Sequence, residues 1–357
     1  MAVIAWTRFC STWLTGTRRD SDNGMLNSQK TIFSIITPVL NRASMIRCAI
    51  ESVLAQGYPA YEHWIVDGGS ADGTLDIVKE YPHLKVIAGP DRNLYDAINK
   101  GIQAATGDLV VLLNSDDLLM PGALESVAAA YARDPAADGF CGAALVVDAK
   151  NPGAAIAAYT ENAVKTPGLS YIVSGPTVQN ARILRRDAYA RVGVFDDRFR
   201  IAADQEFLVR ARLAGIVLRP VDAFVYCYRA HGDSLTLGSP MGHHESLMEA
   251  ELIPRIKIAE EQDPRRRLGY RTWHGWACGY LAAQRARAGD WRSAWEIVTR
   301  GCADNPLWPY WFAKIFVYKL ARRLRRAFGS PENDGAAAAV AVATFIRRIQ
   351  PLAAPTV

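Results

Sequence analysis

Residues Gly107 to Pro121, GDLVVLLNSDDLLMP, decide the reading of the fold. An apolar run, Leu109 to Leu113, ends abruptly in Asn114-Ser115-Asp116-Asp117. A short, wholly apolar run suits a strand buried on both faces of a parallel sheet. In open α/β sheets ligands bind where the carboxyl ends of the strands emerge. Two adjacent carboxylates at that point repel each other, so a positive partner is expected between them, and a hard divalent cation is the simplest one. Taken alone, Ser-Asp-Asp is more often a polar turn with solvated carboxylates. Its neighbours in the sequence reverse that balance.

Upstream the pattern is regular. Ile32 to Val39 reads as a strand, Ala43 to Gln56 as an amphipathic helix, and Trp64 to Val66 as a strand core. Thr74 to Glu80 is a helix opened by Asp72-Gly73, and Lys85 to Ala88 is a short strand. Leu94 to Ala105 is a helix closed by Gly107. After the Asp116-Asp117 corner, Gly122 to Arg133 forms the next helix, with Pro121 near its first turn. Alternation of this kind predicts an α/β fold: a mostly parallel, Rossmann-like sheet with helices on both faces. No GxGxxG follows the first strand and no GxxxxGKS/T occurs, which argues against a dinucleotide cofactor or a P-loop.

Downstream the rhythm loosens. Phe140 to Val147 is a further strand, Asn151 to Ser170 reads as a loop, and Arg185 to Val192 and Ala203 to Leu213 read as helices. Ile216 to Leu218 and Ala223 to Tyr228 are two more short strands, the second leading into Arg229-Ala230-His231. Beyond Thr236 the chain turns helical. His243 to Glu261 is one helix; Trp273 to Ala288 and Trp291 to Cys302 form a hairpin around Gly289-Asp290. In this hairpin Leu281, Ala282, Gly289, Asp290, Ala294, Val298 and Pro306 match the spacing of a tetratricopeptide repeat. One repeat cannot make a binding solenoid, so packing against the rest of the chain is the simpler role.

Leu307 to Phe328 is the second unusual stretch. At helical spacing Ala313, Val317, Leu320, Leu324 and Phe328 share one face, with Lys319, Arg322, Arg323 and Arg326 opposite and Trp308, Tyr310, Trp311 and Phe312 at the start. Apolar face, basic face and aromatic cluster together describe a helix lying in a membrane interface. A nucleic-acid arm is the competing reading of the arginines, and the aromatics favour the membrane. The expected organisation is a disordered extension over 1–29, a sheet domain over 30–235, a helical region over 236–306, the interfacial helix over 307–329 and a low-complexity tail over 330–357.

The 357 residues are 50% hydrophobic and 22% charged, with a formal net charge of +5, an ordinary globular composition. No apolar run is long enough to span a bilayer, and the first twenty residues lack the charge order of a signal peptide. The six cysteines form no CxxC pair and show no ligand-like spacing to the histidines, which argues against zinc or a disulfide framework and fits a reducing compartment.

Four polar segments fall at or beyond predicted strand ends: Thr37-Pro38-Val39-Leu40-Asn41-Arg42, Asp67-Gly68-Gly69-Ser70-Ala71-Asp72-Gly73-Thr74, Asp91 to Gly101, and Asn114 to Asp117. Singly each is a turn, a capped loop or a helix. In this order and spacing the chain resembles the family 2 glycosyltransferases of GT-A fold, especially the bacterial enzymes of exopolysaccharide, capsule or O-antigen synthesis. The specific motifs lie in residues 31–120, and a looser likeness extends to about residue 235.

The resemblance implies an inverting enzyme that moves a sugar from a UDP- or GDP-linked donor to a lipid-linked glycan at the cytoplasmic face of the plasma membrane, as a peripheral protein with no nucleic-acid partner. Asp67, Thr37 and Pro38 would line the nucleoside site, Asp96 and Asn99 would help to close it, and Ser115 would border it. Asp116, supported by Asp117, would bind Mg²⁺ or Mn²⁺ against the donor's phosphates, where the ion neutralises the leaving group. The family motif is often Asp-x-Asp and Asn114 stands at its first position here, so ligation is assigned to Asp116. Asp204 would be the base that takes the acceptor's proton. His231 falls in a loop that lies near the phosphates in relatives. Rival readings are a nucleotidyltransferase, which would need a Gly-rich basic signature after the first strand, and an inert scaffold, against which Asp67, Asp116 and Asp204 stand.

Overall fold

The computed structural model describes residues 31–153, 155–160, 168–174, 178–234, 240–327, 340, 342–344 and 346. The extension expected over 1–29 lies outside them.

The first half is built as the alternation predicts. Strand β1 (Phe33–Val39) is followed by α1 (Ile46–Leu54), β2 (Tyr61–Asp67), α2 (Thr74–Lys79), β3 (Leu84–Ala88), α3 (Leu94–Ala104) and β4 (Leu109–Leu112). These strands lie parallel in the order β3-β2-β1-β4. In β4, Val110 and Leu112 join a core with Ile36, Val66, Ile98 and Leu184, while Leu109 and Val111 join Phe33, Ile35, Val53 and Leu124 on the opposite face. Both faces of the strand are covered, which is why no residue of the run is polar. Helix α3 ends at Ala105, which is extended, and not at Gly107. Gly107 answers a different need: a Cβ there would sit 2.7 Å from the Ile32 carbonyl, so a glycine lets the chain pass the start of β1.

Beyond β4 the sheet is mixed, a difference from the mostly parallel expectation. The short β5 (Leu118–Leu119), α4 (Ala123–Arg133), β6 (Gly139–Asp148), β7 (Ala155–Tyr159), α5 (Leu169–Ser174), β8 (Arg182–Arg185), α6 (Arg186–Val192), α7 (Ala203–Leu213) and β9 (Leu218–Ala230) follow. The full order is β3-β2-β1-β4-β8-β6-β9-β5, with β8 antiparallel to both β4 and β6 and β5 antiparallel to β9. Part of the stretch expected as a loop over Asn151 to Ser170 is strand β7, antiparallel to the second half of β6. The two short strands expected after residue 215 are one strand: β9 runs through Pro220, beyond which its pairing with β6 slips in register.

The helical region comprises α8 (Pro240–Glu260), α9 (Pro264–Arg287), α10 (Trp291–Asp304) and α11 (Trp308–Ala327). It is not a separate bundle. Ile253, Tyr270, Trp273, Trp276 and Ile315 belong to the same core as Phe195, Phe207 and Leu208 of the sheet domain. In α11 the expected aromatic face is divided. Trp308 and Ile315 are buried and Phe312 stacks on Trp276 at 5.6 Å, whereas Tyr310, Phe316, Val317 and Leu320 are exposed. The side chains of Lys319, Arg322, Arg323, Leu324 and Arg326, and all of Phe328, lie outside the described residues. The low-complexity tail contributes to the core: Val342 and Ile346 are buried among Cys48, Leu118, Met120 and Phe224.

Candidate functional site

Register brings the polar segments together. Val39 of β1 pairs with Asp67 of β2, and Asp67 pairs with Ala88 of β3, so the three strands end level. Ile36 pairs with Leu112, which puts Asn114 to Asp117 just past the neighbouring end of β4.

Asp67 is 1% exposed. Its Oδ2 accepts from the backbone N–H groups of Gly69 and Ser70, both at 3.0 Å, which fixes the carboxylate at the mouth of the following turn. Its Oδ1 is buried and accepts no hydrogen bond among the described residues. An orphaned carboxylate oxygen is costly unless a donor arrives from outside. Gly68 lies beside it because a Cβ there would come within 2.9 Å of Asp91 Oδ2.

Thr37 and Pro38 do not present side chains to this cleft. Both are buried, and the Thr37 hydroxyl is bonded to His63 Nε2 at 2.9 Å. Any contact from this segment would come from its backbone. Asn99 is also engaged: its amide donates to the Phe195 carbonyl at 2.8 Å and its oxygen accepts from the Phe195 N–H at 2.9 Å. It clamps the chain that leads to α7. Asp96, by contrast, lies at the rim, accepting from the Arg92 backbone N–H at 3.1 Å and from its guanidinium at 3.0 Å.

The two adjacent aspartates differ in kind. Asp117 is buried, with Oδ2 accepting from Tyr226 Oη at 2.9 Å and Asn114 Nδ2 at 3.1 Å, and Oδ1 accepting from the Arg229 N–H at 2.9 Å. Burial, with the Asp116 charge beside it, pushes its pKa up to about 8. Both oxygens are already occupied by internal donors, so Asp117 braces the corner and is not placed as a second metal ligand beside Asp116. Asp116 is less buried, and its Oδ2 faces His231 Nε2 at 3.0 Å. Carboxylate and imidazole at that separation form a pair able to hold one divalent ion; the mixed N/O set suits a transition ion such as Mn²⁺, while Mg²⁺ would rest on the Asp116 carboxylate alone. Ser115, between Asn114 and Asp116, is buried.

Sequence reasoning missed Tyr226 and Arg229. Tyr226 Oη also receives the Asn114 N–H and the Asn180 amide, and Arg229 donates from Nε to the Asp116 carbonyl. Both sit on β9, whose weak alternation gave no sign that it passes beneath the acidic corner.

Asp204 stands in the first turn of α7. Its Oδ1 accepts from the Gln205 N–H at 2.7 Å. Desolvation raises its pKa to about 7, opposed by that N–H and by the charge of Arg182. Its placement depends on a distant helix: Glu249 of α8 accepts from the N–H groups of Arg200, Ile201 and Ala202 at 2.8–2.9 Å. The backbone donors preceding α7 are thus satisfied by a carboxylate from the C-terminal region, acting as a cap from a remote part of the chain.

The description "Glycosyl transferase family 2" matches residues 34–191. An uncharacterized glycosyltransferase of Mycobacterium tuberculosis is 31% identical over 218 residues, covering 58% of this chain and 76% of the relative. A PGL/p-HBAD biosynthesis glycosyltransferase of Mycobacterium bovis is 25% identical over 234 residues, 64% of this chain and 85% of the relative. Among solved structures, residues 1-349 of S. aureus TarS in complex with UDP-GlcNAc align with a TM-score of 0.54 at 19% identity, over 85% of this chain and 95% of that one. That likeness is one of fold.

The raised pKa of Asp204 has a consequence for stability. Between the ordinary aspartate pKa of about 3.9 and its folded value, the native state holds a proton that the unfolded chain has lost, so stability falls as pH rises through this window. In metal-free buffer, Asp204→Asn should weaken the fall in melting temperature between pH 5 and 8. Asp117, displaced in the same direction, preserves part of the slope. An unchanged slope would show that Asp204 is not protonated in the native state.

Proposed function

Since the chain belongs to the family 2 glycosyltransferases, we propose that it transfers a sugar from a nucleoside-diphosphate donor to a lipid-linked glycan with inversion. The observation that carries the donor assignment is Asp67 Oδ1, a buried acceptor without a donor among the described residues, on the sheet edge that also bears Asp116. A nucleoside base N–H or ribose hydroxyl supplies the missing hydrogen bond. The TarS structure binds UDP-GlcNAc, which is consistent with a nucleotide-sugar here as well.

In this reading Asp116 and His231 would hold Mn²⁺, or Asp116 alone Mg²⁺, with Asp117 fixing the corner from behind. When bound, the ion offsets negative charge on the departing nucleoside diphosphate. Arg229 fixes the backbone of Asp116 through its carbonyl and so orients the pair. Asp204, with a pKa near neutrality, accepts the proton of the attacking acceptor hydroxyl. Glu249 keeps the start of α7 in place while it does so.

The lipid-linked acceptor is supported by α11. Tyr310, Phe316, Val317 and Leu320 project apolar surface into solvent on a helix whose sequence carries Lys319, Arg322, Arg323 and Arg326. Such a face docks on an anionic membrane surface, where a lipid-anchored substrate is presented. Attachment would be peripheral, at the cytoplasmic face; among the described residues no helix is long and apolar enough to cross a membrane.

Asp116→Ala should abolish metal-stimulated transfer with the melting temperature nearly unchanged; a fully active variant would remove Asp116 as the metal ligand. Asp204→Asn should lower kcat by about 10²–10⁴-fold, the usual contribution of a positioned base, with the donor KM little altered. Equal damage to donor binding would reassign Asp204. On the membrane side, the triple change Phe316→Glu, Val317→Glu and Leu320→Glu should leave the protein in the supernatant when it is sedimented with anionic vesicles. Undiminished co-sedimentation would show that α11 is not the docking face.

A further inference from the structure

A second group of potential metal ligands lies in the helical region. Glu251 of α8 and His274 and Cys278 of α9 are all buried, and their ligand atoms lie within 4.8 Å of one another. His274 and Cys278 are one helical turn apart, so both project from the same face of α9. Their Nε2 and Sγ atoms are 3.2 Å apart, and His274 Nε2 is 4.0 Å from Glu251 Oε1. Bond lengths to zinc of about 2.0–2.3 Å imply ligand separations of roughly 3.3–3.8 Å in a tetrahedral site. The two separations from His274 Nε2 lie close to that range, and the Glu251 and Cys278 ligand atoms are no more than 4.8 Å apart. Glu251 Oε1 is buried and accepts no hydrogen bond among the described residues.

We propose that Glu251, His274 and Cys278 form a structural site for a zinc-like divalent ion that staples α8 to α9. Charge decides whether an ion is tolerable there. Arg255 Nη1 and Arg300 Nε lie 3.8 and 3.4 Å from Glu251 Oε1. Arg255 is paired through its Nε with Asp304 at 2.6 Å, and the Arg300 side chain is 44% exposed and free to turn towards water. A divalent ion with one carboxylate, one thiolate and a neutral imidazole has no net charge, which makes its burial acceptable. In its absence burial disfavours the charged forms of the other two ligands, with the Cys278 thiol pushed up to about 12 and His274 down to about 4. On binding, the Cys278 thiol yields its proton to solvent and the thiolate takes the metal; a water completes the fourth position. The sequence showed no such set because two ligands lie one turn apart and the third comes from another helix.

The staple reaches the active site through α8. Glu251 faces α9, and Glu249, two residues earlier, holds the three N–H groups ahead of Asp204. An ion at this site would fix the helix that positions the base.

Cobalt is the probe, because a thiolate ligand gives Co²⁺ a near-ultraviolet charge-transfer band that the Asp116 and His231 site, lacking sulfur, cannot produce. The full-length protein, stripped with chelator and titrated with Co²⁺, should show this band at one equivalent. The band should persist in Asp116→Asn and vanish in Cys278→Ser and in His274→Gln. Zn²⁺ should raise the melting temperature of Asp116→Asn. The proposal is overturned if folded wild-type protein gives no band, or if the band survives Cys278→Ser. Where Cys278→Ser does not fold, His274→Gln and the zinc-dependent melting shift decide in the same way, and absence of the shift overturns the proposal. Transfer that persists undiminished in Asp116→Asn with this band intact would count against the catalytic assignments alone.

Discussion

The acidic corner stands because one of its two carboxylates is fully satisfied from within. Asp117 receives three hydrogen bonds, from Asn114, Tyr226 and Arg229, which join the end of β4 to β9 on the far side of the mixed sheet. Leaving a single buried partner unpaired costs about 1–3 kcal/mol, so the three donors and the carboxylate hold one another in place. This leaves Asp116, the same residue type one position away, to face His231. Two identical residues meet different surroundings because only one is fully buried among internal donors.

The second constraint is the start of α7. The backbone N–H groups of residues 200–202 are met by Glu249, and that carboxylate belongs to the helical region. Lys257, two turns further along α8, pairs with Asp196 at 2.8 Å. The C-terminal helices are accordingly part of the machinery that positions Asp204, and their core is continuous with that of the sheet. This gives the tetratricopeptide-like hairpin a role as packing against the catalytic domain, consistent with the inability of a lone repeat to form a binding surface.

Much of the first half was legible in the sequence because its strands are covered on both faces, which leaves an unbroken apolar run ending in polar turns. The order Asp67, Asp96, Asp116 could be placed on one edge for the same reason. What could not be read was the direction of side chains within those segments: the Thr37 hydroxyl turns to His63 and the Asn99 amide to Phe195, contacts set by residues distant in sequence. Strand β7 was hidden by its Ala-rich composition, and β9 by Pro220, which reads as a break but is accommodated where the register slips. The aromatics of α11 signalled an interface, but Trp308 is buried and Phe312 packs on α9. Apolar surface identifies a face to be covered without saying by what.

The edge bearing Asp67, Asp116 and His231 is the proposed site of a nucleoside diphosphate held through a divalent ion. Titration calorimetry of the full-length protein with UDP and GDP, each with and without Mn²⁺, tests it most directly. The account predicts stoichiometric binding of one of the two that strengthens with Mn²⁺, and loss of that metal dependence in His231→Ala with the fold intact. No binding of either nucleotide, or binding indifferent to both Mn²⁺ and His231, would contradict it.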